Sequence, residues 1–477
     1  MFKLKSFWQV LVVSAICLSC QIPKISSDIQ NATLPTSYKD VTTGASKNSG
    51  TINWKTYFKD PNLTSLIDSA LVHNQELNIA WQEIEIAHNE IRARRGEYLP
   101  FVGLQGSAGL DKLGRYTRLG ASEANIQIKP GKTTPEPLTD FLVGPYSSWE
   151  IDIWHKYRNA QKSAVNRYMA TIEGKNFMVT NLIAEIASAY YELLALDNEL
   201  DVLKQNIEIQ NNALAIVKLE KQAARVTELA VQRFEAQVLN TKSMQFEIEQ
   251  QIVETENRIH FLIGSYPKPI TRNSAAFSKL IPDTLFAGLP AQLLENRPDV
   301  KQAELMIKAA KLDIKSAKAN FYPSLNLTAG FGLNAFSLTN IIDLPHSLMY
   351  SLASGISGPL VNRNAIKSMY LNANAKQIQA LYNYQKTLLN AYIEVSNQVS
   401  NIKNLDQTYR NKELEVQALN RSVTISTNLF SSARADYMEV LLTQRDALES
   451  RFQLLETKQK QLHVTINMYR ALGGGWN

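Results

Sequence analysis

Cysteine is nearly missing from this chain: of its 477 residues only Cys17 and Cys20 are cysteines, and both stand within the first twenty. The remaining length therefore holds neither a disulfide nor a thiolate metal site. Histidine is almost as sparse. The six, at positions 73, 88, 155, 260, 346 and 463, are isolated from one another and from any cluster with ligand spacing, so no metal site is expected. The chain has no phosphate loop of the Walker type, no GxSxG and no HExxH, and the terminal Gly473-Gly474-Gly475 is too near the end to open a nucleotide fold. No catalytic residue and no cofactor are assigned, and any energy the protein uses must come from a partner. Basic runs are absent too. The 50 basic and 44 acidic residues are mixed along the chain to a formal charge of +6, which argues against nucleic acid as a partner.

What is present is a 45% hydrophobic content, enough to bury a core. The start, "MFKLKSFWQVLVVSAICLSC", places Lys3 and Lys5 before an apolar run from Phe7 to Leu18, the layout of a secretory signal too short for a stable bilayer anchor. "CLSC" resembles a bacterial lipobox, with cleavage before Cys20 and a covalent lipid on that residue, although Cys17 replaces the usual aliphatic residue. Ordinary signal-peptidase cleavage nearby is the alternative, and either route exports the protein.

An internal repeat organises the rest. Residues 70–110 match residues 293–333 without a gap, since Pro100 pairs with Pro323 (323 − 100 = 223). At the same offset Leu71 meets Leu294, Ala80 meets Ala303, Ile91 meets Ile314 and Leu104 meets Leu327. A second match joins 222–237 to 432–447 and Gly264 to Gly473 (473 − 264 = 209). The chain is thus a duplicated unit of helix, strand pair and long helical hairpin.

Each copy offers two alternating strands. "SLNLTAGFGLNAF" (324–336) puts Leu325, Leu327, Ala329, Phe331, Leu333 and Ala335 on one parity and Ser, Asn, Thr and Gly on the other. The stretches 101–110, 141–154 and 347–358 alternate likewise. A wet polar face suits a water-filled lumen, and about ten alternating residues are what a tilted strand needs to cross an outer membrane. Alternation alone also fits a soluble sandwich with one wet face. Four strands cannot close a barrel, which takes about eight or more, so two, three or four copies would have to share one.

The long segments between strands carry heptad seams. One runs through Leu182, Ile186, Ala189, Leu193, Leu196, Leu200, Leu203 and Ile207, another from Val231 to Leu262, and a third from Leu448 to Tyr469. A helix from about Asn159 to Leu214 would reach roughly 80 Å at 1.5 Å per residue. Its polar faces suit water and not lipid. Heptads alone equally fit a solvated rod with no passage inside.

The stretches "WKTYFKDPNLTSLIDSALVHNQELNIA" (54–80), "WEIDIWHKYR" (149–158), "NRPDVKQAELMIKAAKLDIKSAKANFYPSLNLTAGFGL" (296–333) and "MYRALGGGW" (468–476) together resemble the TolC-like outer-membrane efflux lipoproteins of the OprM and NodT type. The resemblance implies a mainly α fold with a membrane β-barrel. In it a homotrimer shares one twelve-stranded barrel in the outer-membrane lipid and continues as a periplasmic α-helical barrel. It implies as partners a periplasmic adaptor and an inner-membrane pump of RND type, with substrates leaving passively through the duct. On this plan residues 1–19 are a signal peptide and 20–65 a lipid-tethered segment and collar. Residues 66–264 are the first repeat, with strands near 101–113 and 140–154 and a hairpin over 158–263; 265–289 is a linker and collar. Residues 290–472 are the second repeat, with strands near 324–337 and 346–360 and a hairpin over 363–471, followed by a tail at 473–477.

The tunnel's far end is expected at two helical turns, near 215–227 and 424–437. Where the family often has glycine, this chain has Ala224 and Ala433, and because alanine disfavours the left-handed conformation a difference in the turn geometry or in the adaptor contact is expected. Arg225 and Arg434 follow as adaptor-contact candidates, with solvated turn arginines as the alternative. Asp436 and Glu439 are the gate candidates, with ordinary helix N-terminal carboxylates as the alternative. The competing function is a pore-less periplasmic coiled-coil lipoprotein of structural or adhesive kind.

Overall fold

The computed structural model describes residues 22–23, 25, 34–38, 48–280, 286–432 and 434–476. In chain order the elements are α1 (Trp54–Tyr57), α2 (Pro61–His73), α3 (Gln75–Glu97), β1 (Phe101–Asp111), α4 (Arg118–Glu123), β2 (Gln127–Lys129), β3 (Lys132–Thr133) and β4 (Leu138–Ile151). There follow α5 (Lys156–Gln222), α6 (Glu228–Leu262), α7 (Leu293–Asn296), α8 (Pro298–Ala319), β5 (Ser324–Ala335), β6 (Leu348–Ser357), α9 (Asn364–Ser431) and α10 (Tyr437–Ala471). The chain is mainly helical, yet among the described residues no helix is long and apolar enough to cross a membrane. It divides into two compact units. Met1–Ile29, Glu85–Met169 and Leu305–Leu381 form the first, and Gln30–Ile84, Ala170–Glu304 and Tyr382–Asn477 the second.

The first unit is built on a four-stranded antiparallel sheet in the order β1-β4-β5-β6. Pro100 and Pro323 set where two of its strands begin, because proline cannot continue the preceding helix; β1 opens at Phe101 and β5 at Ser324. Strand β4 ends at Ile151, short of the alternation that runs on to Trp154. The Asp152 carboxylate instead accepts from the N–H groups of Tyr157 (3.1 Å) and Arg158 (3.0 Å), capping α5. The link from β1 to β4, in which the sequence shows no element, holds α4 and the β2–β3 hairpin. Thr117 Oγ1 caps α4 by accepting from the Gly120 N–H at 3.1 Å. Ser163 Oγ donates to the Ala309 carbonyl at 3.0 Å, tying α5 to α8.

The second unit buries the seams. Leu63, Ile67 and Ala70 of α2 pack with Ile183, Ile186, Ala189 and Leu193 of α5, Ile259 and Leu262 of α6, and Leu462, Ile466 and Tyr469 of α10. Tyr57 stacks on Tyr469 with ring centroids 4.1 Å apart, and Tyr190 Oη donates to Asp60 Oδ2 at 2.8 Å. A second apolar cluster, Val217, Val231, Phe234 and Val440, joins α5, α6 and α10. Along α5, between the residues it gives to these clusters, come Asn206 and Gln210, both buried. Neither amide atom of Gln210 has a hydrogen-bond partner among the described residues, nor has Asn206 Oδ1. Thr241 of α6 and Gln444 and Ser450 of α10 are likewise buried polar groups.

Both α6 and α10 end on a glycine in the left-handed region, Gly264 (φ 70°) and Gly473 (φ 85°). Next to each, a buried side chain takes up a carbonyl left over at the helix end. Asn74 Nδ2 donates to the Leu262 carbonyl at 2.8 Å, and Arg297 Nη1 to the Ala471 carbonyl at 2.9 Å. A Cβ on Gly264 would collide with the His73 carbonyl oxygen, and one on Gly473 would lie 2.5 Å from that of Asn296. His73 and Asn74 stand to Asn296 and Arg297 at the first sequence offset, and Leu262 and Gly264 to Ala471 and Gly473 at the second.

Candidate functional site: a two-faced sheet and a paired helical tip

The register decides which side chains share a face of the sheet. Ala108 pairs with Phe141, Trp149 with Leu327, Ile151 with Leu325, Phe331 with Tyr350 and Leu325 with Ile356. Directly paired residues lie on the same side. One face therefore carries Val102, Leu104, Ala108 and Leu110 of β1, Phe141, Val143, Trp149 and Ile151 of β4, the odd residues of β5, and Leu348, Tyr350, Leu352 and Ile356 of β6. The other is mainly polar, with Gln105 and Ser107, Asp140 and Glu150, Asn326, Thr328 and Asn334, and Ser351 and Ser357, interrupted by Phe101, Leu142, Tyr146 and Met349. The apolar face is open: Leu104 keeps 77% of its surface exposed, Tyr350 80%, Leu352 79% and Ile356 77%. So large an exposed apolar surface needs another solvent or a partner. Strands β1 and β6 each have a neighbour on one side only.

The seam between the two sequence copies, β4 with β5, is the tightest part of the sheet. Pro145 gives β4 no N–H, and the β4–β5 ladder is interrupted between the Val143–Leu333 and Tyr146–Gly330 pairs. There Gly144 and Gly332 let the backbones approach. A Cβ on Gly332 would stand 2.5 Å from the Val143 carbonyl oxygen, and one on Gly144 would collide with that of Phe331.

The helical turns fall within the expected stretches, at their C-terminal ends, because α5 continues to Gln222 and α9 to Ser431. Ala224 takes the left-handed conformation after all, with φ 56°, which corrects the expectation of altered turn geometry at that position. The Arg225 N–H donates to the Glu220 carbonyl and the Ala224 N–H to that of Lys221, each at 2.9 Å, the paired bonds of a Schellman cap. These bonds and the open surroundings offset alanine's cost there, about 1–2 kcal/mol. The second turn keeps the longer bond, from the Arg434 N–H to the Leu429 carbonyl at 2.8 Å. Ala433 and Cys20 lie outside the described residues, as do positions 1–19.

Val217, Val231, Phe234 and Val440, with Phe430 and Tyr437 against them, hold the two turns together. Arg225 and Arg434 are both exposed, and neither forms an ion pair among the described residues. Lys221 and Glu228 pair across the first turn. Asp436 is the N-cap of α10 without a side-chain cap bond, and Glu439 is an exposed carboxylate in the first helical turn. Nothing in the pattern of the chain singles out Glu199 on α5, whose carboxyl is pushed up to about 7 by burial and then by the nearby Glu456. Among the described residues no three His, Cys, Asp or Glu side chains stand together in a way that could hold a metal ion.

Residues 66–265 and 289–474 match the model of the outer membrane efflux protein family. The chain belongs to that family. The family's location is the outer membrane and its activity efflux. Among relatives, the pyoverdine export outer membrane protein OpmQ of Pseudomonas putida is 26% identical over 89% of this chain and 88% of its own. The probable outer membrane lipoprotein SilC of Salmonella typhimurium is 24% identical across the whole of both chains. Among solved structures, the open state of the Neisseria gonorrhoeae MtrE outer membrane channel superposes with a TM-score of 0.81 at 21% identity, covering 96% of this chain and 99% of that one. The fold is that of these channels.

Proposed function

We propose that this chain is one third of an outer-membrane exit duct in a tripartite efflux system of RND type. Three copies place their sheets edge to edge, β6 of one against β1 of the next, and close a twelve-stranded barrel with the apolar face on lipid and the polar face on water. The observation that carries this reading is the sheet itself: one predominantly apolar, exposed face, one predominantly polar face, and two edge strands that pair on one side only among the described residues. The long hairpins continue the duct as a helical tunnel through the periplasm, and the duplicated unit gives each copy two hairpins for the wall. The matching glycine caps at the two offsets support that duplication.

The protein performs no catalysis in this reading. A pump in the inner membrane supplies the energy, and a periplasmic adaptor meets the tip through Arg225 and Arg434, whose guanidinium groups are free for carboxylates or backbone carbonyls. Asp436 and Glu439 stand beside the opening as gate carboxylates, and a lipid on Cys20 tethers the chain end. Recording from the purified protein in planar bilayers tests the duct. Discrete conductance steps, enlarged when the tip is loosened by Val440→Asp, are the expected result. A protein that inserts and never conducts, even with that variant, would leave the pore-less coiled-coil lipoprotein as the better reading.

A further inference from the structure

We infer that a cleft of the first unit, between the end of β4 and the start of α9, is the seat of an acyl chain carried by Cys20, an inference that rests on the lipidation reading above. The cleft measures about 390 Å³, and Ile153, Trp154, Tyr322, Pro323, Ile366 and Met369 make up its apolar wall. That size falls within the range of about 300–1,000 Å³ usual for small-molecule sites. Its polar side chains are already matched. Glu150 accepts from Lys156 Nζ at 2.9 Å and Tyr157 Oη at 2.7 Å, and Asp152 caps α5. Asn320 Nδ2 donates to the Ala317 carbonyl at 3.3 Å, and Trp154 Nε1 to the Pro323 carbonyl at 2.7 Å. What remains without a partner is apolar: Ile153 is 47% exposed, Trp154 46% and Met369 54%. An ion or sugar gains little here, whereas a hydrocarbon chain gains the whole wall.

The occupant is selected by where the chain leads. Ile22 and Ile25 pack against Ile314, Phe321 and Tyr370, and Ile366 belongs both to that cluster and to the cleft wall. Cys20 is two residues before Ile22 in sequence, so the chain that would carry the lipid leads to the cluster that adjoins the cleft through Ile366. A single acyl chain holds a protein to a membrane only marginally. A chain seated here is withdrawn from the bilayer and instead braces α8 and α9 against the end of the sheet.

The test uses the full chain, made in cells fed a palmitate analogue with a photoreactive diazirine, photolysed in membranes and mapped by peptide mass. The expected result is a lipid on Cys20 and a cross-link joining the N-terminal peptide to a peptide carrying Trp154, Tyr322 or Met369. Met369→Lys is expected to reduce that cross-link several-fold with Cys20 still labelled. Adducts of phospholipid mass on the cleft, cross-links only to a second copy of the chain, or an undiminished yield in Met369→Lys would overturn the seat and leave lipidation standing. An unlabelled Cys20 overturns both.

Discussion

In the sheet Leu104, Tyr350, Leu352 and Ile356 each expose more than three quarters of their surface, whereas Ile186, Leu193 and Ile259 on the helices expose none. The two regions have opposite habits. The hairpins fold their apolar seams inward against one another, with a few polar groups such as Gln210 and Gln444 buried between, and keep most of their lysine and glutamate exposed, as proteins do in water. The sheet gathers most of its serine, threonine, asparagine and glycine on one face and most of its leucine, with Phe331 and Tyr350, exposed on the other. Since both regions carry well-patterned apolar residues, composition does not separate them; the solvent each surface is built to meet does. One chain thus carries an open apolar surface along four strands and buried apolar seams along four long helices.

The largest break in this comparison is expected at the sheet's inner seam. Gly332→Val would drive a side chain into the Val143 carbonyl, so folded, heat-resistant oligomer should vanish from the membrane fraction on a gel. A milder break exchanges the two solvents. Leu327→Arg puts a charge on the apolar face and should cost about 2–4 kcal/mol, lowering assembled yield, while Asn326→Arg on the polar face should assemble as the parent does. Equal yields of the two variants would reverse the facing.

Among the helices the sharpest probe is Glu199. Its carboxyl is pushed up to about 7 in the fold, above its unfolded range, so burial is tolerated best while it is protonated. Stability from this group is full below about pH 4.5 and is lost as pH rises through 7, by at most about 3 kcal/mol. Glu199→Gln should therefore match the parent at pH 4 and melt higher at pH 8, read by thermal circular dichroism. The smallest effect belongs to the tip. Ala224→Gly relieves a left-handed alanine but loosens the unfolded chain, a net gain below about 1 kcal/mol. Gly473→Ala, where a Cβ meets the Asn296 carbonyl, should instead lose about 2–4 kcal/mol.

Patterned segments were legible in the sequence, and positions set by a single contact were not. The alternation of 324–336 became β5, and the seams from Leu182, Val231 and Leu448 lie inside the helical packing. The facing of the strands was also readable, because a period of two leaves one choice. The end of β4 was not, since the alternation continues to Trp154 and only Asp152's bonds to the start of α5 stop the strand. Helix α4 and the β2–β3 hairpin are too short to show a period. At the tip, the residues could be placed from the repeat, but the φ of Ala224 depends on the Schellman bonds around it. Asn74 and Arg297 looked like ordinary polar residues near a helix start; their role lies in carbonyls 188 and 174 positions away in sequence.

The central claim is that four strands per chain are a share of a closed barrel. Native mass measurement of the detergent-extracted full chain tests it most directly. Three copies, holding together with mostly helical and some strand signal by circular dichroism, is the predicted result. A monomer that keeps the same secondary structure and still exposes the apolar sheet would contradict it.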